Sequence, residues 1–135
     1  MIPPNDELKG FVLLENPSKD TILLSIGKVI LVNKAGLTAI GSPMYINVFF
    51  DECGKRMMVR KAEKKNENIF FVKKHGISDY SLLKETILRI IEKEDFPEQT
   101  VVSYLGHKVK NCDSIIFNLG KVHMMRKFPR NEKTE

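Results

Sequence analysis

Apolar residues in this chain fall in short runs, and the runs are punctuated by glycine, asparagine and acidic turns. Residues 21–26 predict a strand. Residues 29–32 are unbroken Val-Ile-Leu-Val, the pattern of a strand buried on both faces. Asn33 is a good N-cap, and Ala35, Leu37, Ala39 and Ile40 suit one or two helical turns over about 34–41, weakened by Gly36 and ended by Gly41 and Pro43. Residues 45–50, a turn Asp51-Glu52-Cys53-Gly54 with Gly54 as its positive-φ residue, and residues 56–61 read as a hairpin. After a polar loop, Ile69-Phe70-Phe71-Val72 reads as a third strand, making residues 44–72 a three-stranded meander. Tyr80, Leu83, Ile87, Ile90 and Ile91 recur at three- and four-residue steps, which predicts an amphipathic helix over about 78–93 capped by Ser78 or Asp79. Residues 100–105, 114–119 and 122–125 are β-rich, and Phe11-Val12-Leu13-Leu14 suits an edge strand or a short packing segment.

Together these elements predict an α+β fold: a small antiparallel sheet with one long amphipathic helix (about 78–93) and one short helix (about 34–41). One domain is expected over 1–128, followed by a flexible tail over 129–135.

Gly27-Lys28-Val29, Ala39-Ile40-Gly41 and the acidic turn Asp51-Glu52-Cys53-Gly54 fall in an order that resembles the AbrB/MazE-like swapped-hairpin DNA-binding modules, over residues 21–62 only. The resemblance implies a strand, a short helix and a hairpin that act together on DNA. Two family residues are absent: the proline after the first strand, where Val32 and Asn33 stand, and the arginine of the short helix, where Gly36 or Leu37 stands. A DNA contact from that helix is therefore not carried over.

Charge sharpens the picture. The chain has 135 residues and a net charge of +5, enough for one ordinary core. Residues 55–75 hold eight bases and two acids, and residues 107–130 hold six bases and one acid. Two basic blocks on one side of a fold would attract phosphates. The nucleic-acid candidates are Lys55, Arg56, Arg60, Lys61, Lys64, Lys65, Lys73, Lys74, Arg126 and Lys127. Arg56, Met58 and Arg60 share one face of a strand, and Phe70 or Phe71 is a candidate stacking ring. Duplex DNA is the partner expected ahead of RNA, with binding that weakens steeply with salt.

Other chemistries lack their residues. Cys53, Cys112, His75, His107 and His123 do not have zinc-ligand spacing, neither thiol has an activating neighbour in sequence, and no phosphate-binding glycine loop occurs. Neither a catalytic residue, nor a metal, nor a cofactor is therefore assigned. The main rival to nucleic-acid binding is a homodimerising interaction module whose lysines serve solubility. A small enzyme is the third reading, and it needs a cleft with His107 or His123 beside a carboxylate. No apolar run reaches the ~18 residues of a membrane span, and residues 1–7 lack the features of a signal peptide. Expected partners are thus nucleic acid and a second copy, with no membrane, in the cytoplasm, with both cysteines as free thiols.

Overall fold

The computed structural model describes residues 7, 9–14, 21–63, 68–74 and 76–127. Along the chain come β1 (Ile22–Ile26), β2 (Ile30–Val32), α1 (Lys34–Ala39), β3 (Tyr45–Asp51), β4 (Arg56–Lys61), β5 (Phe70–Lys73) and β6 (Gly76–Ile77). Then follow α2 (Tyr80–Ile91), β7 (Thr100–Lys108), β8 (Ser114–Asn118) and β9 (Met124–Lys127). All the paired strands are antiparallel, in the order β2-β1-β7-β8-β4-β3-β5-β6, with β9 on β7. Because β1 lies along Val102–Gly106 of β7, β8 and β9 share the other edge of β7 end to end.

The last strand of this order returns to the first. A Cβ on Gly76 of β6 would stand 3.0 Å from Val29 Cβ and 3.1 Å from the Ile30 carbonyl oxygen. The sheet therefore curls into a nearly closed barrel. Its inward positions alternate along each strand: Leu24 and Ile26, Ile30 and Val32, Met57 and Val59, Val102 and Tyr104, Ile115 and Phe117, each 0–1% exposed. Leu83, Ile87 and Ile90 of α2 join the same cluster.

This architecture corrects the expected α+β class. The protein is mostly antiparallel sheet, and the two α-helices among the described residues are small, six and twelve residues long. The stripe on α2 is real but narrower than its periodicity suggests, since Tyr80 and Leu82 are 43% and 58% exposed. Of the two expected caps, Asp79 holds the N-cap position but makes no side-chain capping hydrogen bond, while Ser78 Oγ accepts from the Phe71 N–H at 2.8 Å. The expected meander is also rearranged. β5 pairs with β3 rather than β4, and β8 takes the free edge of β4. Periodicity along a strand says which face is apolar; it does not say which distant strand lies alongside.

Around α1 the local chemistry holds. Asn33 Oδ1 accepts from Gly36 N–H at 3.0 Å and from Leu23 N–H at 3.2 Å, while its Nδ2 donates to the Thr21 carbonyl at 2.7 Å. Gly36 fits this packing because a Cβ there would lie 2.7 Å from Val32 Cγ1. Gly41 ends the helix region at φ 84°, where a side chain is strained. In the β3–β4 turn the positive φ belongs to Lys55, at 51°, not to Gly54. No described helix is long and apolar enough to cross a membrane.

Gly106 marks the tightest strand-to-core approach: a Cβ there would sit 2.5 Å from Cε1 and 2.6 Å from Cδ1 of Phe117, which is fully buried. Gly106→Ala is expected to lower stability by about 1–3 kcal/mol through overpacking. Urea unfolding checks it, as a lower midpoint at an unchanged slope.

Candidate nucleic-acid interface

Alternation along β4 sends Met57 and Val59 inward and leaves Arg56, Met58 and Arg60 facing outward. Strand register carries that face sideways. Phe49 stands opposite Met58, Met58 opposite Ile116, and Ile116 opposite His107. On one side of this apolar row lie Asp51, Arg56 and Asn118; on the other lie Asn47, Arg60 and Ser114. The outward surface of β3, β4 and β8 is thus an apolar row between two polar rows, each with one arginine. A shallow hollow of about 220 Å³ sits at its Phe49–Arg56–Ile116 corner.

Both arginines are held in place. Arg60 Nε donates to Ser114 Oγ at 2.9 Å, and its guanidinium lies 5.5 Å from the centroid of the Phe49 ring, 44% exposed. That is a cation–π distance. Arg56 donates through Nε at 3.0 Å and Nη2 at 2.7 Å to Asp51 Oδ2, while Asp51 Oδ1 accepts from Gly54 N–H at 3.0 Å. The Gly54 N–H first, and Arg56 next, hold the exposed Asp51 carboxyl below its ordinary 3.8.

The remaining candidates are dispersed. Lys55 is half-buried in the turn, with its carbonyl accepting from Leu119 N–H at 2.8 Å. Lys61 Nζ lies 3.6 Å from where a Cβ on Gly41 would be, beside the end of α1. Lys73 and Lys74 are exposed at a different place, a groove shared with Lys34. Lys64 and Lys65, like His75 and the tail over 129–135, lie outside the described residues. Arg126 and Lys127 pair with Val101 and Thr100, whereas Arg60 pairs with Ser114, whose carbonyl accepts from Val109 N–H. Nine residues of the β7 ladder at about 3.3 Å each separate those levels, roughly 30 Å. Arg126 and Lys127 thus lie away from Arg60.

Phe49 was not among the rings singled out from sequence. Phe70 is half-buried against the core, and Phe71 stands edge-on to Tyr45 at 5.4 Å. The signal for Phe49 was present: the acidic turn sets a hairpin register that pairs it with Met58, between the two arginines. Elsewhere, Arg89 pairs with Glu52 at 2.6 Å and Lys84 with Asp95 at 3.4 Å. His107 and His123 are exposed, Cys53 and Cys112 are free thiols, and no three His, Cys, Asp or Glu among the described residues are grouped to hold a metal ion.

No protein-family model matches the chain, and neither a curated protein nor a solved structure matches it.

Asp51 gives a pH test. Its folded pKa is depressed, so its contribution to stability is present above 3.8 and is lost as pH falls through the folded value. Asp51→Ala is expected to be less stable than the parent at neutral pH, with the gap narrowing below 3.8. Urea unfolding from pH 7 to about 2 reads the convergence; a gap that stays constant contradicts it.

Proposed function

We propose that the protein is a non-enzymatic nucleic-acid-binding module that lays an unpaired strand across the outward face of β3, β4 and β8. The observation that carries this reading is the Phe49–Met58–Ile116 row flanked by Arg56 and Arg60. A duplex hides the faces of its bases and presents phosphates, so an apolar row has little to bind there. An unpaired base offers a π-face, and stacking on an aromatic side chain contributes about 1–3 kcal/mol per base. Arg60, already over the Phe49 ring, would stack on such a base or meet its phosphate. This reading takes a single strand in place of the duplex expected from the basic blocks, because the outward face offers an apolar row rather than a continuous run of cations.

Binding of a labelled single-stranded DNA of about 12 nucleotides, followed by fluorescence anisotropy, tests this reading. Phe49→Ala is expected to weaken it by about 5- to 150-fold, and Arg126→Ala with Lys127→Ala by less than about twofold. With Arg56 already paired to Asp51 and Arg60 left to meet a phosphate, log K is expected to fall against log salt with a shallow slope of roughly −0.7. An absence of binding at low salt, or equal losses from the β9 variants, overturns it.

A second reading, a homodimerising module, is favoured by a separate observation. Phe11, Val12, Leu13 and Leu14 are 75–91% exposed, an apolar stretch with nothing among the described residues covering it.

A further inference from the structure

We propose that a hollow at the C-terminal end of α2, where Tyr104 opens between Lys55 and Lys93, holds the phosphate group of a phosphomonoester. The site lies off the outward face of β3, β4 and β8 and does not depend on the stacking proposed there.

The edge of β7 makes the hollow. β8 leaves that edge after Phe117 has paired with Gly106, and β9 joins it at Ser103, whose carbonyl accepts from the His123 N–H at 2.8 Å. Tyr104 stands in the interval, beside Leu119 and Val122. The Leu119 N–H donates to the Lys55 carbonyl at 2.8 Å, which brings the β3–β4 turn to the same place. A Cβ on Gly120 would lie 3.9 Å from Lys55 Cβ. Lys93, just past the C-cap Glu92, lines the hollow with Ile91. The space enclosed is about 120 Å³.

Tyr104 is what marks this hollow as a ligand site. The residue is 1% exposed, yet no described residue hydrogen-bonds to its hydroxyl. Among the described residues no side-chain polar atom is both fully buried and unpartnered. The hydroxyl is therefore the part of Tyr104 that reaches the surface, and it does so at the hollow that Tyr104 lines. A core hydroxyl without a protein partner costs free energy that a phenylalanine would not. Burial pushes its pKa above the ordinary 10.0, so at neutral pH it keeps its proton and donates.

The surrounding charge selects the acceptor. Among the described residues no carboxylate lines the hollow, and neither Lys55 nor Lys93 is ion-paired. Two ammonium groups and one hydroxyl match the three terminal oxygens of a phosphomonoester, whose charge is close to −2 at neutral pH. A carboxylate would use fewer of these donors. The space is well below the ~300 Å³ of sites that enclose a whole small molecule. It takes the phosphoryl group and leaves the ester substituent outside. The helix end opposes an anion, but two of its last carbonyls are already engaged: Leu88 accepts from the Lys93 N–H at 3.0 Å and Arg89 from the Glu92 N–H at 3.2 Å. A phosphomonoester reaches the site as a free small molecule or as the 5′ end of a nucleic-acid strand, since Lys55 adjoins Arg56 at the border of the outward face.

Titration of the full chain with inorganic phosphate at constant ionic strength, followed by amide shifts in two-dimensional NMR, tests the site. The parent is expected to show saturable shifts at Lys55, Tyr104 and Gly120. Tyr104→Phe is expected to keep the parent's urea midpoint or exceed it, and to weaken phosphate by at least about 10-fold. Lys55→Gln with Lys93→Gln is expected to weaken it by a similar factor. Signals that phosphate leaves unmoved in the parent, or shifts that either variant keeps at the parent's affinity, overturn the site and leave the stacking reading standing. A single strand of about 12 nucleotides, with and without a 5′ phosphate, separates the sources. A gain from the phosphate that Tyr104→Phe abolishes assigns the strand end, and equal affinities assign a small phosphomonoester.

Discussion

β8 lies antiparallel along β4, Arg56 opposite Asn118 through Arg60 opposite Ser114, and this one pairing decides which side chains are inside and which are outside. With it in place, Met57 and Val59 meet Phe117 and Ile115 in the core, and Arg56 and Arg60 face water beside Met58 and Ile116. A slip of one residue would turn the arginines into the barrel and the core residues out of it. Burying an unpaired guanidinium costs several kcal/mol per ion even after relaxation. The register of the barrel and the composition of its arginine face are therefore a single constraint, and Ser114, fully buried and bonded to Arg60, sits where both are satisfied.

A second knot lies at the other side of the barrel. Asn33 ties β1, the start of α1 and the Thr21 carbonyl with one side chain, and Gly36 lets α1 settle against Val32 and Ile22. Beyond α1 the chain turns at Pro43 into β3, and a shallow hollow lined by Leu31, Leu37, Pro43 and Val72 lies beside the helix.

Much of this was legible residue by residue. The strand in the apolar run at 29–32, the Asn33 cap, the hairpin around its acidic turn and the shared face of Arg56 and Arg60 follow from chemistry within a few positions, although that strand is buried on one face and not on both, with Val29 and Leu31 exposed. The fold class did not, because it depends on pairings between segments far apart in the chain: β1 with β7, β4 with β8, and Gly76 against Ile30. Such contacts leave no periodic trace. The stripe on α2 was therefore given too large a share of the core, when strands from the whole chain fill most of it. For the same reason Phe70 and Phe71 drew attention as an adjacent pair, while Phe49 gained its place only from a partner strand.

The charge pattern makes the same point in energetic terms. Basic blocks contiguous in sequence suggest one cationic field, and fields of that kind act over about a Debye length, ~8 Å at physiological salt. The ladder sets Arg60 and Lys127 roughly 30 Å apart along β7, so their potentials do not add at a bound ligand. What remains is local. On the outward face a carboxylate already occupies Arg56, which leaves the orientation of Arg60 over Phe49 as the feature that distinguishes this surface from an ordinary solvated sheet. At the groove, lysines border an apolar floor. The basic residues behind the net charge of +5 are thus dispersed over several places on the barrel, and what each does depends on its own neighbours.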